Sequence, residues 1–340
     1  MRSAEVMASY NCARMHFTAP GVIPLLPMRI LLIKTSSLGD VVHNLPVITD
    51  LRRKYPEAGI DWVVEEGFAD IPRLHPGVRR VIPVALRRWR KSLLTPATWQ
   101  EMGAFRTTLQ AENYDLVIDT QGLLKSALIT RMARGKRCGY DASSAREPLA
   151  ARFYDAAFEV PRNLHAVERN RRLAALAAGY VAPAAPDYGI AVPSAPTFCG
   201  TEAILLTATS RDDKLWPENN WITAGRALQE RGLNCLLPAG SATERERATR
   251  IAQAIPGAVA LPPMSLPELA AQLAAARIVI GVDTGLVHLS AALGRPTLAL
   301  FCASDPALTG VVASTPAINL GARGQPPGVD EVLAAALPLL

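Results

Sequence analysis

The sequence predicts an α/β protein of two doubly wound parallel-sheet domains that face each other across a cleft. Three observations carry this expectation. Short apolar runs alternate with stretches of helical spacing along both halves of the chain, the order that parallel strands joined by crossover helices require. Four of those runs end in segments rich in Thr, Ser, Asp and Gly, and the carboxyl ends of strands are where open α/β sheets bind ligands. An Ala- and Pro-rich stretch between about Pro161 and Pro196 separates the halves.

In the first half, Arg29-Ile-Leu-Leu-Ile-Lys34 reads as a buried strand that ends in the turn Thr35-Ser-Ser-Leu-Gly-Asp40. A helix is expected from about Asp40 to Tyr55, with Asp40 as its cap and Val41, Leu45 and Ile48 on one face. Strands follow at Ile60 to Glu65 and Val78 to Val84, with a short helix near Phe68 to Leu74 between them. After a basic segment, Trp99 to Glu112 has helical spacing, Leu116 to Asp119 is a strand ending in Thr120-Gln121-Gly122, and Leu124 to Arg134 is a helix. The run His165 to Leu176 leads as a helix into the connection.

The second half repeats the alternation. Ala203 to Thr207 is a strand, Pro217 to Glu230 a helix, Asn234 to Pro238 a strand and Thr243 to Ala254 a helix. Val259 to Leu261, the helix Leu266 to Ala275, the strand Ile278 to Val282, a helix opening near Gly285 and the strand Thr297 to Phe301 complete the pattern. Residues 1–27 lack the continuous apolar core of a secretory signal and are set aside as a leader.

Composition narrows the function. A chain of 340 residues, 49% hydrophobic and 19% charged, suits two ordinary globular domains. It contains no apolar run of the roughly 18 to 20 residues a membrane span needs. The net charge of +6 favours an anionic partner. Cys12, Cys138, Cys199, Cys235 and Cys302 are scattered, without the spacing of a zinc site or a disulfide framework, which fits a reducing cytoplasm. No GxGxxG follows the first strand and no GxxxxGK[ST] occurs, against a typical dinucleotide-binding dehydrogenase and a P-loop NTPase.

The chemistry-bearing residues cluster at the four polar strand ends. Asp283-Thr284-Gly285 before a helix offers unpaired N–H groups, a hydroxyl and a close backbone approach, the makings of a phosphate seat. Thr209, Ser210 and Lys214, before the helix at Pro217, add two hydroxyls and an ammonium, enough to neutralise a diphosphate. His43, one helical turn beyond Asp40, is either a second candidate base or faces solvent or the sheet, and His288, one turn into the last motif helix, faces either a ligand or the packing. Arg87-Arg88-Trp89-Arg90-Lys91 sets four cations around one aromatic. Such a run is either a solvated face or a grip on phosphates and carboxylates, with Trp89 offering an apolar surface.

In order, Lys34-Thr-Ser-Ser-Leu-Gly-Asp40, Arg87-Arg-Trp-Arg-Lys91, Asp119-Thr-Gln-Gly-Leu-Leu-Lys125, Ala145-Arg-Glu-Pro-Leu-Ala150, Arg211-Asp-Asp-Lys-Leu-Trp-Pro217 and Val282-Asp-Thr-Gly-Leu-Val-His288 resemble the lipopolysaccharide heptosyltransferases, an ADP-heptose glycosyltransferase family, from about Met28 to the C-terminus. The likeness is to the members that add the first heptose of the inner core. It implies the glycosyltransferase-B fold, with two Rossmann-like domains facing across a cleft. Residues 28–185 would bind the acceptor, 186–325 would bind ADP-heptose, and a C-terminal helix within 326–340 would pack back on the first domain.

The resemblance also implies an inverting transfer of L-glycero-D-manno-heptose from the ADP-sugar to Kdo2-lipid A. The enzyme would be cytoplasmic and peripheral on the inner face of the cytoplasmic membrane of a Gram-negative bacterium, with no obligatory cofactor or metal and no nucleic acid partner. Asp40 matches the catalytic base. Thr209, Ser210 and Lys214 match diphosphate contacts, with Ser210 where threonine is common. Thr284 and Gly285 match backbone phosphate contacts, Asp283 a heptose contact, Glu244 a ribose contact and Met264 a contact beside adenine, and His288 joins this donor side. Arg87, Arg88, Arg90, Lys91 and Gln121 fall to the acceptor. The alternatives are a transferase adding a later core heptose and a nucleotide-sugar-binding protein without catalysis.

Overall fold

A computed structural model describes residues 27–192 and 200–340. The leader, Pro27 apart, and Cys12 and Cys199 lie outside the described residues. Two six-stranded sheets account for the architecture. The first holds β1 (Arg29–Ile33), β2 (Gly59–Glu65), β3 (Val78–Val84), β4 (Asn113–Asp119), β5 (Arg134–Tyr140) and β6 (Ala156–Phe158) in the order β3-β2-β1-β4-β5-β6. The second holds β7 (Glu202–Leu206), β8 (Asn234–Leu237), β9 (Val259–Ala260), β10 (Ile278–Val282), β11 (Thr297–Phe301) and β12 (Ala317–Gly321) in the order β12-β11-β10-β7-β8-β9. Counted from their own first strands, both sheets read 3-2-1-4-5-6, and every named pairing is parallel.

That order fixes where a ligand binds. Strands one and four of each sheet, β1 beside β4 and β7 beside β10, flank the point where the connections reverse direction and leave a crevice. The four polar strand ends picked out in the sequence are the ends of these four strands. Residues Ile278 to Val282 of β10 are fully buried, as the continuous apolar run requires of a strand covered on both faces.

The two halves share an apolar core. One cluster joins Ile30, Val41 and Ile48 of the first half to Ile204, Val287 and Phe301 of the second. The strongest interdomain packing sets the short helix Leu38–Val42 against the helix Gly285–Ala292. Two glycines permit the approach. A Cβ on Gly285 would lie 2.6 Å from the Leu38 side chain, and one on Gly39 would lie 3.1 Å from His288 and 3.6 Å from the Gly285 Cα.

Several local expectations change. The helix expected from Asp40 to Tyr55 breaks at His43–Asn44 into Leu38–Val42 and Leu45–Lys54, with Pro46 at the start of the second piece, where a missing N–H costs nothing. Asp40 is therefore not the N-cap. Ser37 holds that position and Asp40 stands three residues on. β5, β6 and β12 were not expected from the sequence; the charged, largely exposed first half of β5 and the half-buried edge strands β6 and β12 blur the apolar signal. The C-terminal helix Val329–Ala336 does not pack back on the first domain as expected. It packs on the helix Glu218–Gln229 and on β11 and β12, and buries Val332 and Ala336 in the second domain's own core. No helix of the described residues is long and apolar enough to cross a membrane.

Candidate active site

A cleft of about 620 Å³ opens between the two sheet edges. Its walls include Asp40, Arg87 and Gln121 from the first half, and Thr209, Ser210, Lys214, Asp283, Thr284, Gly285 and His288 from the second. These residues are scattered in sequence, and the paired switch points bring them together.

On the first side the turn after β1 is held from beneath. Gln121, at the end of β4, accepts from the Thr35 N–H (2.9 Å) and the Ser36 N–H (3.2 Å) and donates to the Ser36 carbonyl (2.6 Å). It is buried, so it shapes the turn more than it meets an acceptor. Asp119 accepts from the N–H of Gln121 and Gly122 and from the Tyr154 hydroxyl at 2.8 Å, while burial pushes its carboxyl up. Asp40 then projects from the first turn of the short helix. One carboxylate oxygen accepts from the Ser37 N–H (2.8 Å) and hydroxyl (3.0 Å), and among the described residues the other accepts nothing. A half-exposed carboxylate fixed by one oxygen with the second free is suited to take a proton.

Lys34 was not picked out from the sequence as a site residue. It is buried at the end of β1, where its ammonium donates to the Thr120 carbonyl at 2.9 Å and to Asn170 at 3.3 Å. Burial lowers its pKa, and the nearby carboxylates Asp40 and Asp119 oppose that shift. The signal in the sequence was a lysine directly continuing an apolar strand. Arg146, Arg162 and Arg169 also line the cleft, and Lys125 donates to the Ser36 hydroxyl at 2.9 Å. They come from the stretch between Lys125 and Arg169, where sequence spacing gave no common face.

On the second side Asp283 organises the strand end. Lys214 donates to one of its oxygens at 2.5 Å, Ser304 donates to the same oxygen, and His288 lies 3.8 Å from the other. Burial works to raise the Asp283 carboxyl, but His288, Lys214 and Ser304 outweigh it and hold the group well below the usual carboxylate range. Thr209 donates to the Asp283 carbonyl at 3.0 Å and ties the β7 end to the β10 end. Lys214 is placed by a nearby tryptophan: Trp216 is buried edge-on against Trp221, donates to the Pro327 carbonyl at 2.8 Å and so anchors the segment. Thr284, the N-cap of the helix Gly285–Ala292, makes no side-chain cap bond, so its hydroxyl and the first N–H groups remain available to an anion.

The two sides meet at two histidines. His43 and His288 are buried with ring nitrogens 3.1 Å apart, and His165 stands edge-on to His43 at 5.6 Å. Burial, with His288, His165 and Lys34 close by, holds His43 well below its ordinary pKa. The ring is neutral and bonded to its partner, not poised as a free base. His288 is likewise mainly a packing residue at the cleft floor.

Other expected residues stand elsewhere. Glu244 and Met264 do not line this cleft; they follow β8 and β9, farther along the same sheet edge. The Glu244 carboxylate accepts from the N–H of Gly240 and of Ser241, each at 2.9 Å, in a capping box. Arg88 is held by Glu66 and Glu101. Arg90 and Lys91 lie outside the cleft and are exposed. Trp89 offers no apolar surface: it is buried against Phe105 and donates to Glu101 at 2.7 Å. Among the described residues no group of His, Cys, Asp or Glu has the arrangement of a metal site.

Comparison with known proteins agrees with this geometry. The model of glycosyltransferase family 9 (heptosyltransferase) matches residues 102–332, more than half of the chain. The chain is 49% identical over 288 residues to lipopolysaccharide heptosyltransferase 1 of Escherichia coli (strain K12), covering 83% of this chain and 90% of that one. It superposes on the E. coli heptosyltransferase WaaC with ADP at a TM-score of 0.85 and 45% identity, over 92% of this chain and 98% of that one. The same enzyme with ADP-2-deoxy-2-fluoro heptose gives 0.81, with the same identity and coverage.

Proposed function

The chain belongs to glycosyltransferase family 9, the heptosyltransferases, and from that premise we propose how its cleft works and on what. The enzyme transfers heptose from ADP-heptose in the assembly of the lipopolysaccharide inner core. The donor is L-glycero-D-manno-heptose as its ADP-sugar and the acceptor is Kdo2-lipid A, so the reaction adds the first heptose. The observation that carries the reading is the contact of the Asp40 helix with the uncapped start of the helix Gly285–Ala292, which sets a carboxylate beside a diphosphate seat at one cleft floor.

In this reaction a Kdo hydroxyl oxygen bonds to the anomeric carbon from the face opposite ADP. The bond from that carbon to the β-phosphate oxygen breaks, and the configuration inverts. Asp40 takes the hydroxyl proton late, as C–O bond formation acidifies it, because a carboxylate is too weak a base for a resting alcohol. ADP leaves with its new charge facing the Lys214 ammonium, the Thr209 and Ser210 hydroxyls and the N–H groups after Thr284. Asp283, kept ionised by its partners, orients Lys214 and accepts from a heptose hydroxyl. The adenosine runs along the same sheet edge from the β7–β10 crevice toward β8 and β9, where Glu244 meets the ribose and Met264 the base. No metal or cofactor enters these steps.

Arg87, Lys125 and Arg146 face the anionic acceptor with Arg90 and Lys91 beyond them, and the enzyme works on the inner face of the cytoplasmic membrane. The test is purified protein with ADP-heptose and Kdo2-lipid A, read by mass spectrometry. A gain of one heptose on Kdo, lost in Asp40→Asn while ADP still binds, is expected. Transfer only to an already heptosylated core would overturn the acceptor assignment and favour a later step.

A further inference from the structure

Beyond the cleft, the first domain carries a surface that the transfer chemistry does not use. From Ser92 to Gln100 the chain has no charged residue. Leu94 is 99% exposed, Trp99 61% and Leu93 46%, three large apolar side chains within seven positions. Their exposure is built in. Trp99 donates its indole N–H to the Leu93 carbonyl at 2.8 Å, and the Ser92, Thr95 and Thr98 hydroxyls interlock at 2.9 to 3.0 Å beneath them.

Charge surrounds this tip on one side. Arg87, Arg90 and Lys91 are exposed, and among the described residues none of the three pairs with a carboxylate, whereas Arg88 takes both Glu66 and Glu101. A groove of about 470 Å³ runs between the tip and the cleft; Lys91 and Ser92 stand at one end, and Phe68 and Arg87 are walls of both cavities. Apolar side chains with an indole at the tip and unpaired cations behind them suit a bilayer surface; of the nearby carboxylates, Glu65 is buried and Glu66 and Glu101 are both held by Arg88. The leucines would enter the acyl boundary, the indole would sit at head-group depth and the cations would meet anionic head groups.

We propose that Leu93, Leu94 and Trp99, backed by Arg90 and Lys91, form a docking surface for an anionic lipid bilayer, from which the groove leads a lipid-linked acceptor into the cleft. The purpose of the groove rests on the proposed acceptor; the docking surface does not. Exposed apolar area with cations would serve a protein partner or a second copy of the chain less well, because the tip is small and the carboxylates beside it, Glu66 and Glu101, are already taken by Arg88.

The test uses the full chain with vesicles of phosphatidylglycerol and phosphatidylethanolamine, and with phosphatidylcholine vesicles as control. Trp62, Trp89, Trp216 and Trp221 are buried, so a blue shift of tryptophan emission and its quenching by brominated acyl chains report on Trp99. Both are expected with the anionic vesicles. Leu93→Ser with Leu94→Asp should weaken vesicle partitioning by about tenfold or more, and Arg90→Gln with Lys91→Gln by roughly fivefold per cation, with a flatter salt dependence.

Turnover of the leucine variant on vesicle-embedded acceptor should fall in parallel and stay at the wild-type level on an acyl-free, soluble Kdo acceptor. Wild-type protein that ignores anionic vesicles, a leucine variant that partitions like wild type, or sedimentation showing that the tip instead joins two copies would each overturn the docking surface. Absence of product on both acceptors with vesicle binding intact would sink the proposed acceptor and leave the docking surface standing.

Discussion

The two switch points have the same strand order and opposite chemistry. At β1/β4 the helix start is closed by its own side chains: Asp40 accepts from Ser37, and Gln121, Lys34 and Asp119 lock the turn from below. At β7/β10 the helix start is left open, with Thr284 uncapped and the cationic Lys214 held alongside by Asp283. A helix N-terminus favours negative charge wherever it occurs. The first domain satisfies that preference internally, with the carboxylate proposed as the base; the second leaves it open, as the proposed seat of the donor diphosphate requires. One topology therefore yields a self-capped helix start with a carboxylate and an open one, by changing which residue stands three positions after the cap.

The largest break in this division is at the base. Asp40→Asn keeps the hydrogen bonds of the turn and removes the proton acceptor, so kcat should fall by about 10² to 10⁴ with ADP affinity unchanged, as measured by single-turnover transfer and calorimetry. A parallel loss of ADP binding would mean the two sides are not chemically separate. Next, Lys214→Ala removes the charge facing the leaving group; a drop of roughly 10² to 10³ in kcat with weaker ADP binding is expected. In that variant Asp283 keeps Ser304, and the fold should hold in a thermal melt.

A third test moves the two sides apart. In Gly285→Ala the new methyl meets Leu38 at 2.6 Å, costing about 1 to 3 kcal/mol and lowering activity, and adding Leu38→Ala should recover part of both. Thr284→Val should raise the donor KM several-fold and leave acceptor handling alone, the loss of about one hydrogen bond.

Acid separates the halves as well. His75 receives the Gly77 N–H on one ring nitrogen and bonds Thr49 through the other, so it is held neutral, and burial lowers its pKa to about 4 from 6.5. The unfolded chain takes that proton first. Stability is full above pH 6.5, falls as pH drops toward 4, and loses up to about 3 kcal/mol. Buried His43 and half-buried His165 shift the same way, so denaturant melts across this range should show a steep acid loss that His75→Asn reduces.

Where the chemistry is written in local pattern, it was legible in the sequence. The β10 strand, its Asp283-Thr284-Gly285 end and the opening of the following helix were expected where they stand, because a strand buried on both faces leaves a continuous apolar run. The edge strands β6 and β12 were missed because they are half exposed, and the interior strand β5 because its first half, Arg134-Gly-Lys-Arg137, is charged and largely exposed. Lys34 and Ser304 were missed for another reason: their partners lie 86 and 21 residues away, and no local spacing records such a bond. The aromatic of the basic run, Trp89, is buried and donates to the same Glu101 that holds Arg88, and the exposed aromatic is Trp99, eight residues beyond the run.

The glycine-to-leucine contact between the helices Leu38–Val42 and Gly285–Ala292 has a mechanical consequence. It lies on the cleft floor, so opening the cleft is rotation about that line, and displacement grows with the lever arm from it. Asp40 and Thr284, at the two helix starts that meet there, stay nearly in register through such a swing, while the cleft rim travels farther. The proposed base and phosphate seat then need little realignment, and the larger excursion falls on the rim where a bulky lipid-linked acceptor would enter and leave.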